Sequence, residues 1–384
     1  MKQNQTLIFR FGVLQLCALI LCLPLIFSSC KKQDVTEASA TASDTSAALQ
    51  NAKVVHAGSS IQSVINTAKP GDVIRIEPGI YKEAIKVQTA NLKIIGLSNA
   101  NGEGVVIKNP GDEDNGITVT DAGDGFVLEN VTVKGFDENG VFLINVDGFK
   151  ISKVKTVSNG EYGIFPIFSK NGVIEFCIAT GHSDTGIYIG QSSNVVMRFN
   201  QAYANVIGLE AENSTNITVI KNYSYNNVCG ILVDLLPGKN LKTESNIFIT
   251  ENLVTNNNHA NFGEPGSLES VVPVGVGILL LGVDSSTIKK NIIKGNNFFG
   301  IAVFSTLVLG KLAGIPDDNF ADIDPIPDGV KVAENLLVKN GSNPPKISIP
   351  LPGVDLLWDG SGTNNCWARN AYASSYPAPL PNCN

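Results

Sequence analysis

The chain has 384 residues, of which 43% are hydrophobic and 16% charged, and its 35 acidic side chains outnumber the 28 basic ones to give a formal charge of −7. Proteins that bind nucleic acid neutralise phosphates with a basic surface, so this balance argues against a nucleic-acid partner. The length exceeds that of a typical single domain, although a repeat protein of this size can fold as one unit.

The N-terminus reads as a targeting segment. Lys2 and Arg10 precede a short apolar run that ends in the residues FSSC, with Cys30 last. A basic start followed by such a run is typical of an export signal that is removed from the mature protein. The ending resembles the lipobox of bacterial lipoproteins, which implies a signal peptide over residues 1–29 and a lipid on Cys30. The alternative is an uncleaved anchor helix, and either case predicts a membrane-attached envelope protein, as an outer-membrane lipoprotein would be.

The next segment, residues 30–53, is rich in Ser, Thr and Ala. It offers little apolar surface for a core, so we expect a flexible tether. The folded domain is then residues 54–384. Without Lys2 and Arg10, two of the 28 basic residues, the mature chain would have 26 basic and 35 acidic side chains and a charge of −9. Export makes a disulfide between Cys366 and Cys383 in the C-terminal tail chemically reasonable.

Glycines recur along the domain with a period of 22 to 24 residues. Self-similarity at such a spacing indicates a solenoid. The repeat GIYIGQSSNVVMRFNQAYANVI, residues 186–207, contains a short alternating strand, a turn, a second strand and two asparagines. The period continues after one long insertion at Gly277 and Gly300. The uninterrupted series comprises Gly116, Gly140, Gly163, Gly186, Gly208 and Gly230.

Two columns of mostly asparagine accompany the glycines. Counting each glycine as position 1, position 15 holds Asn200 and Asn222, and position 20 holds Asn205 and Asn227. Stacked amides can hydrogen-bond to one another along the axis of a parallel solenoid. Strands this short without intervening helices favour an all-β, right-handed parallel β-helix of about ten coils.

Some residues interrupt these columns. His182, in the sequence GHSD, invites a catalytic interpretation, but it occupies the slot of Asn159 and Asn205 in the neighbouring coils. We therefore expect a hydrogen-bonded turn residue. Cys177 and Cys229 fall at turn positions that do not match each other, which predicts buried free thiols.

The segment SSIQSVINTAKPGDVIRIEPGIYKE opens the repeats with a short predicted capping helix over residues 61–68. Together with the periodic coils, it resembles the pectin-lyase-like superfamily of parallel β-helix proteins over residues 55–340. The superfamily includes polysaccharide lyases, glycoside hydrolases, epimerases and non-catalytic adhesion modules, so the resemblance implies the fold more strongly than any one activity. We expect a monomer with a polysaccharide partner.

The stretch YGIFPIFSKNG, residues 162–172, resembles the segment of mannuronan C5-epimerases that carries Asp-Pro-His-Asp after Tyr-Gly-Ile. Here Phe165, Pro166, Ile167 and Phe168 occupy those positions. The groups that would remove and return the C5 proton are absent, so the sequence argues against epimerisation by that mechanism.

An apolar and aromatic strip occupies position 3 of successive coils, at Phe142, Phe165 and Tyr188. We expect these side chains on the outer face of the glycine-led strands, where the superfamily usually binds its ligand. Such a strip either packs beneath a loop or stacks on sugar rings. With Glu210, these three are the candidate substrate-binding residues.

The stretch GLEAENS places Glu210 and Glu212 two residues apart on one strand, so both carboxylates leave the same face. Asp234 occupies the same position as Glu212 in the next coil. Like charges stacked on adjacent strands are destabilising unless a cation, a shared proton or water intervenes. The sequence therefore predicts either a Ca²⁺ site formed by these three residues or a solvated acidic face. Gly190, beneath Glu212, would leave open space.

Three insertions, residues 235–245, 259–272 and 305–329, flank the glycine-led strands. Long loops at one face of a rigid scaffold commonly form the walls of a binding site. The last insertion also contains Asp317, Asp318, Asp322 and Asp324, at a spacing that is not diagnostic of Ca²⁺.

Two functions follow from these observations. The first is cleavage of an acidic polysaccharide by β-elimination, which needs a cation at the uronate carboxylate and a base for the C5 proton. Candidate catalytic residues are Arg198, Lys239, Lys242 and Tyr188. The second is a non-catalytic lipoprotein that binds a glycan or a protein in the same groove, favoured by the scarcity of arginine.

Overall fold

A computed structural model of the protein describes residues 52–384. The predicted signal peptide, the lipidation site at Cys30 and nearly all of the tether lie outside these residues. Among residues 52–384, no helix combines the length and apolar character needed to cross a bilayer.

The described chain winds into a parallel β-helix with three sheets, in which every strand pairs in parallel with the equivalent strand of the next coil. Sheet A has 12 strands, sheet B has 10 and sheet C has 11. Each coil contributes to A, then B, then C, and the glycine-led strands form sheet C. The β-helix predicted from the sequence is confirmed.

The strands of sheet A are Lys53–Val55, Val73–Ile76, Lys93–Gly96, Phe126–Glu129, Asp147–Ser152, Lys170–Glu175, Ser193–Arg198, Thr215–Ile220, Phe248–Thr250, Thr287–Lys289, Lys331–Ala333 and Cys366–Ala368. Those of sheet B are Gly79–Lys82, Val105–Lys108, Val131–Lys134, Lys155–Val157, Ile178–Thr180, Gln201–Tyr203, Tyr223–Tyr225, Leu253–Thr255, Ile292–Lys294 and Leu336–Val338. Those of sheet C are Ile85–Val87, Asn115–Val119, Asn139–Ile144, Tyr162–Ile167, Thr185–Gly190, Ile207–Glu212, Cys229–Asp234, Val276–Leu281, Phe299–Phe304, Val354–Trp358 and Ser375–Tyr376.

Helices are few in the described part of the chain. Helix Ile61–Ile65 covers the N-terminal coils, and the Ser60 side chain caps it by accepting a hydrogen bond from the Ser63 amide. Helix Leu307–Ala313 belongs to the third insertion and ends at Gly314, whose positive φ suits a left-handed cap. Short 3-10 helices span Asp121–Gly123, Glu269–Val271 and Asp317–Phe320. The predicted capping helix is confirmed, although it ends three residues early.

The glycine period reflects close packing between coils. A β-carbon at Gly186 would lie 2.8 Å from the carbonyl oxygen of Gly208 in the next coil, and one at Gly208 would lie 2.6 Å from that of Gly230. A larger residue would therefore push the coils apart at this turn. Between the two asparagines of each coil lies the short sheet B strand, which we did not distinguish from the sequence.

Both asparagine columns are buried, and they are uninterrupted from Asn200 to Asn335 and from Asn205 to Asn340. The Asn200 amide nitrogen donates to Asn222 Oδ1 at 3.0 Å, and the Asn222 amide nitrogen donates to Asn252 Oδ1 at 3.0 Å. His182 takes its place in the second column, where its backbone N–H donates to Asn205 Oδ1. Cys177 and Cys229 are buried free thiols, and Cys366 and Cys383 form a disulfide, as expected.

Two apolar clusters lie on opposite faces of sheet C. Alternate residues, such as Leu209 and Ile231, enter the main core inside the coil. The residues between them, such as Leu232 and Leu279, join a second cluster with the insertions. The insertions therefore convert the outer face of sheet C from a surface into a second interior.

Candidate functional site

The predicted stacking of carboxylates on sheet C is present. Tyr188 pairs with Glu210 in the next coil, and Glu212 pairs with Asp234 in the coil after that. One carboxylate oxygen from each of Glu210, Glu212 and Asp234 lies within 4.8 Å of the others. The register that follows from the glycine period therefore brings the three predicted metal ligands together.

The acidic group is buried, contrary to the solvated face that was one of the two expectations. Glu210, Glu212 and Asp234 are only 5%, 6% and 2% exposed. The insertions cover them, so the carboxylates lack most of the bulk water that would screen their repulsion on an open face. The three carboxylates therefore require protons or a cation as partners.

Lys239, from the first insertion, supplies one such partner. Its ammonium nitrogen lies 2.7 Å from Glu212 Oε1. Glu210 Oε2 accepts a hydrogen bond from the Thr185 hydroxyl. Asp234 Oδ1, in contrast, is buried without a hydrogen-bond partner. The site thus has one ammonium for three carboxylates, and Asp234 Oδ1 has neither a hydrogen-bond donor nor an ion-pair partner.

The charge state of the site follows from this burial. Burial, reinforced by the negative charge of Asp234, raises the pKa of Glu210 well above its ordinary value. Burial and the Glu212 carboxylate raise the pKa of Asp234, against the opposing effect of Lys239. Without a bound cation, the site therefore holds protons at a pH where exposed carboxylates would be ionised.

Further polar residues that the sequence analysis did not single out extend the site. Asp184 and Tyr162 line the same cavity, and burial raises the pKa of Asp184 to about 7. Glu244 is buried nearby, where its Oε2 accepts from the Ser214 amide and its Oε1 has no partner. Tyr162 stands immediately before a repeat glycine. The same position holds Thr185, Ile207 and Cys229 in the following coils, and the last two belong to the outer cluster, so this column also faces outward.

The aromatic strip runs into the acidic group. The rings of Phe142 and Phe165 are 5.2 Å apart, and those of Phe165 and Tyr188 are 4.8 Å apart. Phe142 and Phe165 are half-buried, whereas Tyr188 is buried. The Tyr188 ring also fills the space that we expected to be open at Gly190, because a β-carbon there would lie 2.4 Å from the ring. Tyr188 therefore lies beneath the acidic group, while Tyr162 lines the cavity.

Two of the candidate bases lie elsewhere. Arg198 is on sheet A, where its guanidinium pairs with Glu175 at 2.6 Å, so it does not line the cavity. Lys242 pairs with Asp322 of the third insertion and is not among the cavity-lining residues. Spacing along the chain could not separate Lys242 from Lys239, because the conformation of the insertion decides which lysine turns inward.

The cavity has a volume of about 220 Å³ and an acidic end and an apolar end. The apolar floor comes from sheet C and the residue before one of its strands, namely Leu232, Leu279, Leu281, Phe298, Phe299 and Phe304. The apolar roof comes from the insertions and from residues 341–353, namely Leu236, Leu268, Val272, Val308, Leu309, Leu312, Ile347 and Leu351. All three predicted insertions thus contribute walls, and residues 341–353 form a fourth that we did not predict.

Comparison with known proteins supports the fold. Residues 115–250 match the family model described as "Right handed beta helix region". No curated protein sequence matches the chain. The A-module of mannuronan C-5 epimerase AlgE4 from Azotobacter vinelandii is similar in structure, with a TM-score of 0.56 at 17% identity over 83% of this chain and 93% of that one.

Two other solved structures share the fold. An alginate lyase from Paenibacillus sp. str. FPU-7 gives a TM-score of 0.55 at 14% identity over 81% of this chain and 98% of that one. A DFA-IIIase mutant from Arthrobacter chlorophenolicus A6 gives a TM-score of 0.53 at 14% identity over 79% of this chain and 74% of that one. At identities this low, the structural similarity shows a shared right-handed β-helix fold and no more than that.

Proposed function

We propose that this pectin-lyase-like, right-handed parallel β-helix binds an acidic polysaccharide at the outer face of sheet C and cleaves it by β-elimination. The observation that carries the proposal is the convergence of Glu210, Glu212 and Asp234 beneath insertions that form a cavity. Two neighbours in fold are named as an epimerase of mannuronan and a lyase of alginate, both uronate polymers, which supports this substrate class.

The donor set suits Ca²⁺, which prefers several carboxylate oxygens. Asp234 Oδ1 lacks a partner, and the Lys239 ammonium offsets only one of the three charges. Glu210, Glu212 and Asp234 would hold the ion. When bound, Ca²⁺ would supply positive charge to these carboxylates and to a uronate group of the substrate.

The chain's own contribution to β-elimination would be a base for the C5 proton. Lys239 is the lysine that lines the cavity, and Tyr162 and Tyr188 bring hydroxyls near the acidic group. Although burial alone would lower it, the Glu212 carboxylate raises the pKa of Lys239 overall. The ammonium form is therefore stabilised while this ion pair exists.

That ion pair favours a second candidate function, binding of the glycan without cleavage. A protonated Lys239 cannot accept a proton, but it can attract a uronate carboxylate. In this function the cavity would recognise the polymer, and the protein would act as a glycan-binding protein of the envelope. Lipid attachment at Cys30, with the folded domain acting as a monomer, completes the proposal for either activity.

The test is a panel of polysaccharides that includes polymannuronate and polygalacturonate, assayed with Ca²⁺ and with EDTA. Cleavage by β-elimination produces unsaturated uronate ends, which absorb ultraviolet light. We expect Ca²⁺-dependent product from at least one uronate polymer, and none from neutral glycans. Direct binding, measured in parallel by calorimetry, separates the two functions: binding without product supports the second candidate, and absence of both contradicts the proposal.

Variants connect the result to the site. Asp234→Asn keeps the shape of the side chain and removes one of the repelling charges, so it should abolish the rise in melting temperature that Ca²⁺ causes in the wild type. In EDTA the variant should be no less stable than the wild type. An unchanged Ca²⁺ response in Asp234→Asn would place the ion elsewhere.

Lys239→Met tests the lysine, and Lys242→Met in the same insertion is its matched control because Lys242 does not line the cavity. We expect Lys239→Met to lose cleavage or glycan binding at least tenfold, a change of about 1.4 kcal/mol. Lys242→Met should behave as the wild type. Equal effects of the two substitutions would show that the insertion as a whole, and not the cavity lysine, is needed.

A further inference from the structure

The apolar end of the cavity is the part that the proposed function leaves without a role. Leu279, Leu281 and Phe304 form its floor, and Val308 and Leu351 form part of its roof. These side chains belong to the second apolar cluster or pack against it. The insertions therefore build a hydrophobic compartment directly beside three carboxylates.

An unsubstituted sugar does not match this compartment. A pyranose carries hydroxyl groups around its ring, and each one that is buried needs a hydrogen-bond partner. The charged and hydroxyl-bearing side chains of the cavity, among them Tyr162, Lys239 and the carboxylates, come from its other end. Sugar hydroxyls placed against Leu279 and Phe304 would lose their bonds to water without replacement. The two ends thus select different chemical groups.

The size of the cavity limits the apolar group. A cavity of roughly 150 Å³ lined by Leu, Ile and Phe stays dry and accepts benzene. This cavity has about 220 Å³ in total, shared between its polar and apolar ends. There is space within it for one compact apolar group of ring or short-chain size.

We propose that the preferred ligand is a uronate sugar that carries a compact apolar substituent, either an ester acyl group or an aryl group. The substituent occupies the space between Leu279, Phe304 and Val308, while the sugar carboxylate faces the acidic end, where the proposed Ca²⁺ would offset its charge. This inference deepens the proposed function and rests on it for the placement of the sugar. Its own content is that the apolar group contributes affinity that a plain uronate lacks.

The first experiment measures binding of small probes by calorimetry in the presence of Ca²⁺. Methyl glucuronide serves as the plain uronate, phenyl glucuronide carries an aryl group, and a butyryl ester of methyl glucuronide carries an acyl group. We expect the phenyl or the butyryl probe to bind about tenfold or more tightly than methyl glucuronide, because each transfers several apolar carbons from water. Which of the two gains more identifies the class of substituent.

A second measurement does not depend on the sugar. Toluene alone should raise the melting temperature in EDTA, because it can fill the apolar end without the cation. Val308→Trp fills that end with an indole ring and should abolish both the toluene effect and the preference for substituted probes. Lys311→Trp, on an exposed residue of the same helix, is the matched control and should change neither. Circular dichroism checks that both variants fold.

The outcomes separate the two proposals. Equal affinity for all three glucuronides, with no effect of toluene, overturns this inference while Ca²⁺-dependent uronate binding still supports the proposed function. Stabilisation by toluene without any glucuronide binding contradicts the proposed function and also the preference for a substituted sugar. A toluene effect that persists in Val308→Trp would place the apolar site elsewhere and overturn the assignment to this cavity.

Discussion

His182 shows how a reactive residue type becomes structural through its surroundings. It is fully buried, with Nδ1 3.1 Å from the Asn159 carbonyl oxygen and Nε2 3.1 Å from Thr156 Oγ1. Burial lowers the pKa of His182 to about 4, against the smaller opposing effect of these hydrogen bonds. The imidazole is therefore neutral and committed to the second asparagine column.

His182→Asn should keep the fold and remove a source of acid sensitivity. An unfolded histidine binds a proton as the pH falls through about 6.5, whereas the folded ring resists protonation until about pH 4, so stability is lost over that window. When the pH is lowered from 7 to 5, the free energy of unfolding, measured with urea, should fall by about 2 kcal/mol less in the variant than in the wild type.

The control for this prediction is the comparison at pH 7, where both proteins should have similar stability because neighbouring coils use asparagine at this slot. The raised pKa of Asp184 has the opposite pH effect, but it is common to both proteins and cancels in the difference. A large loss of polysaccharide cleavage in a folded His182→Asn protein would show that the histidine is catalytic.

At the same scale, the sequence predicted which carboxylates meet but not their environment. The pairing of Glu212 with Asp234 follows from the period alone, since equivalent positions of adjacent coils stack. The burial of these residues depends on how the insertions fold, and insertions lie outside the repeat. For the same reason, the inward turn of Lys239 and the rotation of Tyr188 over Gly190 had no signal in the spacing.

At the scale of elements, the asparagine columns bind the coils to one another. Asn222 Oδ1 accepts from both the backbone and the amide nitrogen of Asn200, while its own amide nitrogen donates to the Met197 carbonyl oxygen and to Asn252 Oδ1. Its side chain therefore takes part in four hydrogen bonds within a buried environment. Removing it leaves partners on both sides unsatisfied.

Asn222→Ala should therefore destabilise the protein by about 3 kcal/mol or more, because several buried polar groups lose their partners at about 1–3 kcal/mol each. Urea unfolding measures the change. Asn101→Ala, in an exposed turn, is the control and should stay within about 0.5 kcal/mol of the wild type. If both substitutions had the same small effect, the amide column would not be a source of stability.

The two asparagine columns also show how far the repeat period predicts the structure. Asn200 to Asn296 follow from counting along the repeats, but Asn335 and Asn340 continue the same columns after the third insertion. The count fails there because 25 residues of irregular sequence, 305–329, interrupt the period. The hydrogen bonds of the folded structure identify Asn335 and Asn340 as members of the columns, which counting along the sequence does not.

At the scale of the whole molecule, a parallel β-helix places one set of side chains inside and another outside every coil, so function depends on what covers the outer face. Here the three insertions and residues 341–353 cover the outer face of sheet C near one region. The repeat predicts the scaffold, and the insertions, whose sequences have no period, decide the site. This division explains why the fold was predictable and the roof of the cavity was not.

Attachment to a membrane belongs to this scale as well, since it would set which polymers the cavity meets. The lipobox-like ending predicts a lipid on Cys30, ahead of a predicted tether that ends near residue 53, so the β-helix would be held close to the bilayer surface. We predict that Cys30→Ser prevents lipid attachment and releases the protein from the membrane fraction. Mass spectrometry of the N-terminal peptide and fractionation of cells that produce each protein provide the measurement.

Removing Cys30 should leave the folded domain unchanged, because its coils begin beyond the tether. The purified variant should therefore have the same melting temperature and the same response to Ca²⁺ as a soluble protein that begins at Lys53. If Cys30→Ser remains in the membrane fraction without a lipid, the apolar N-terminal segment is an uncleaved anchor. Release of the variant, by contrast, would mean that a single lipidated cysteine holds the whole β-helix at the envelope.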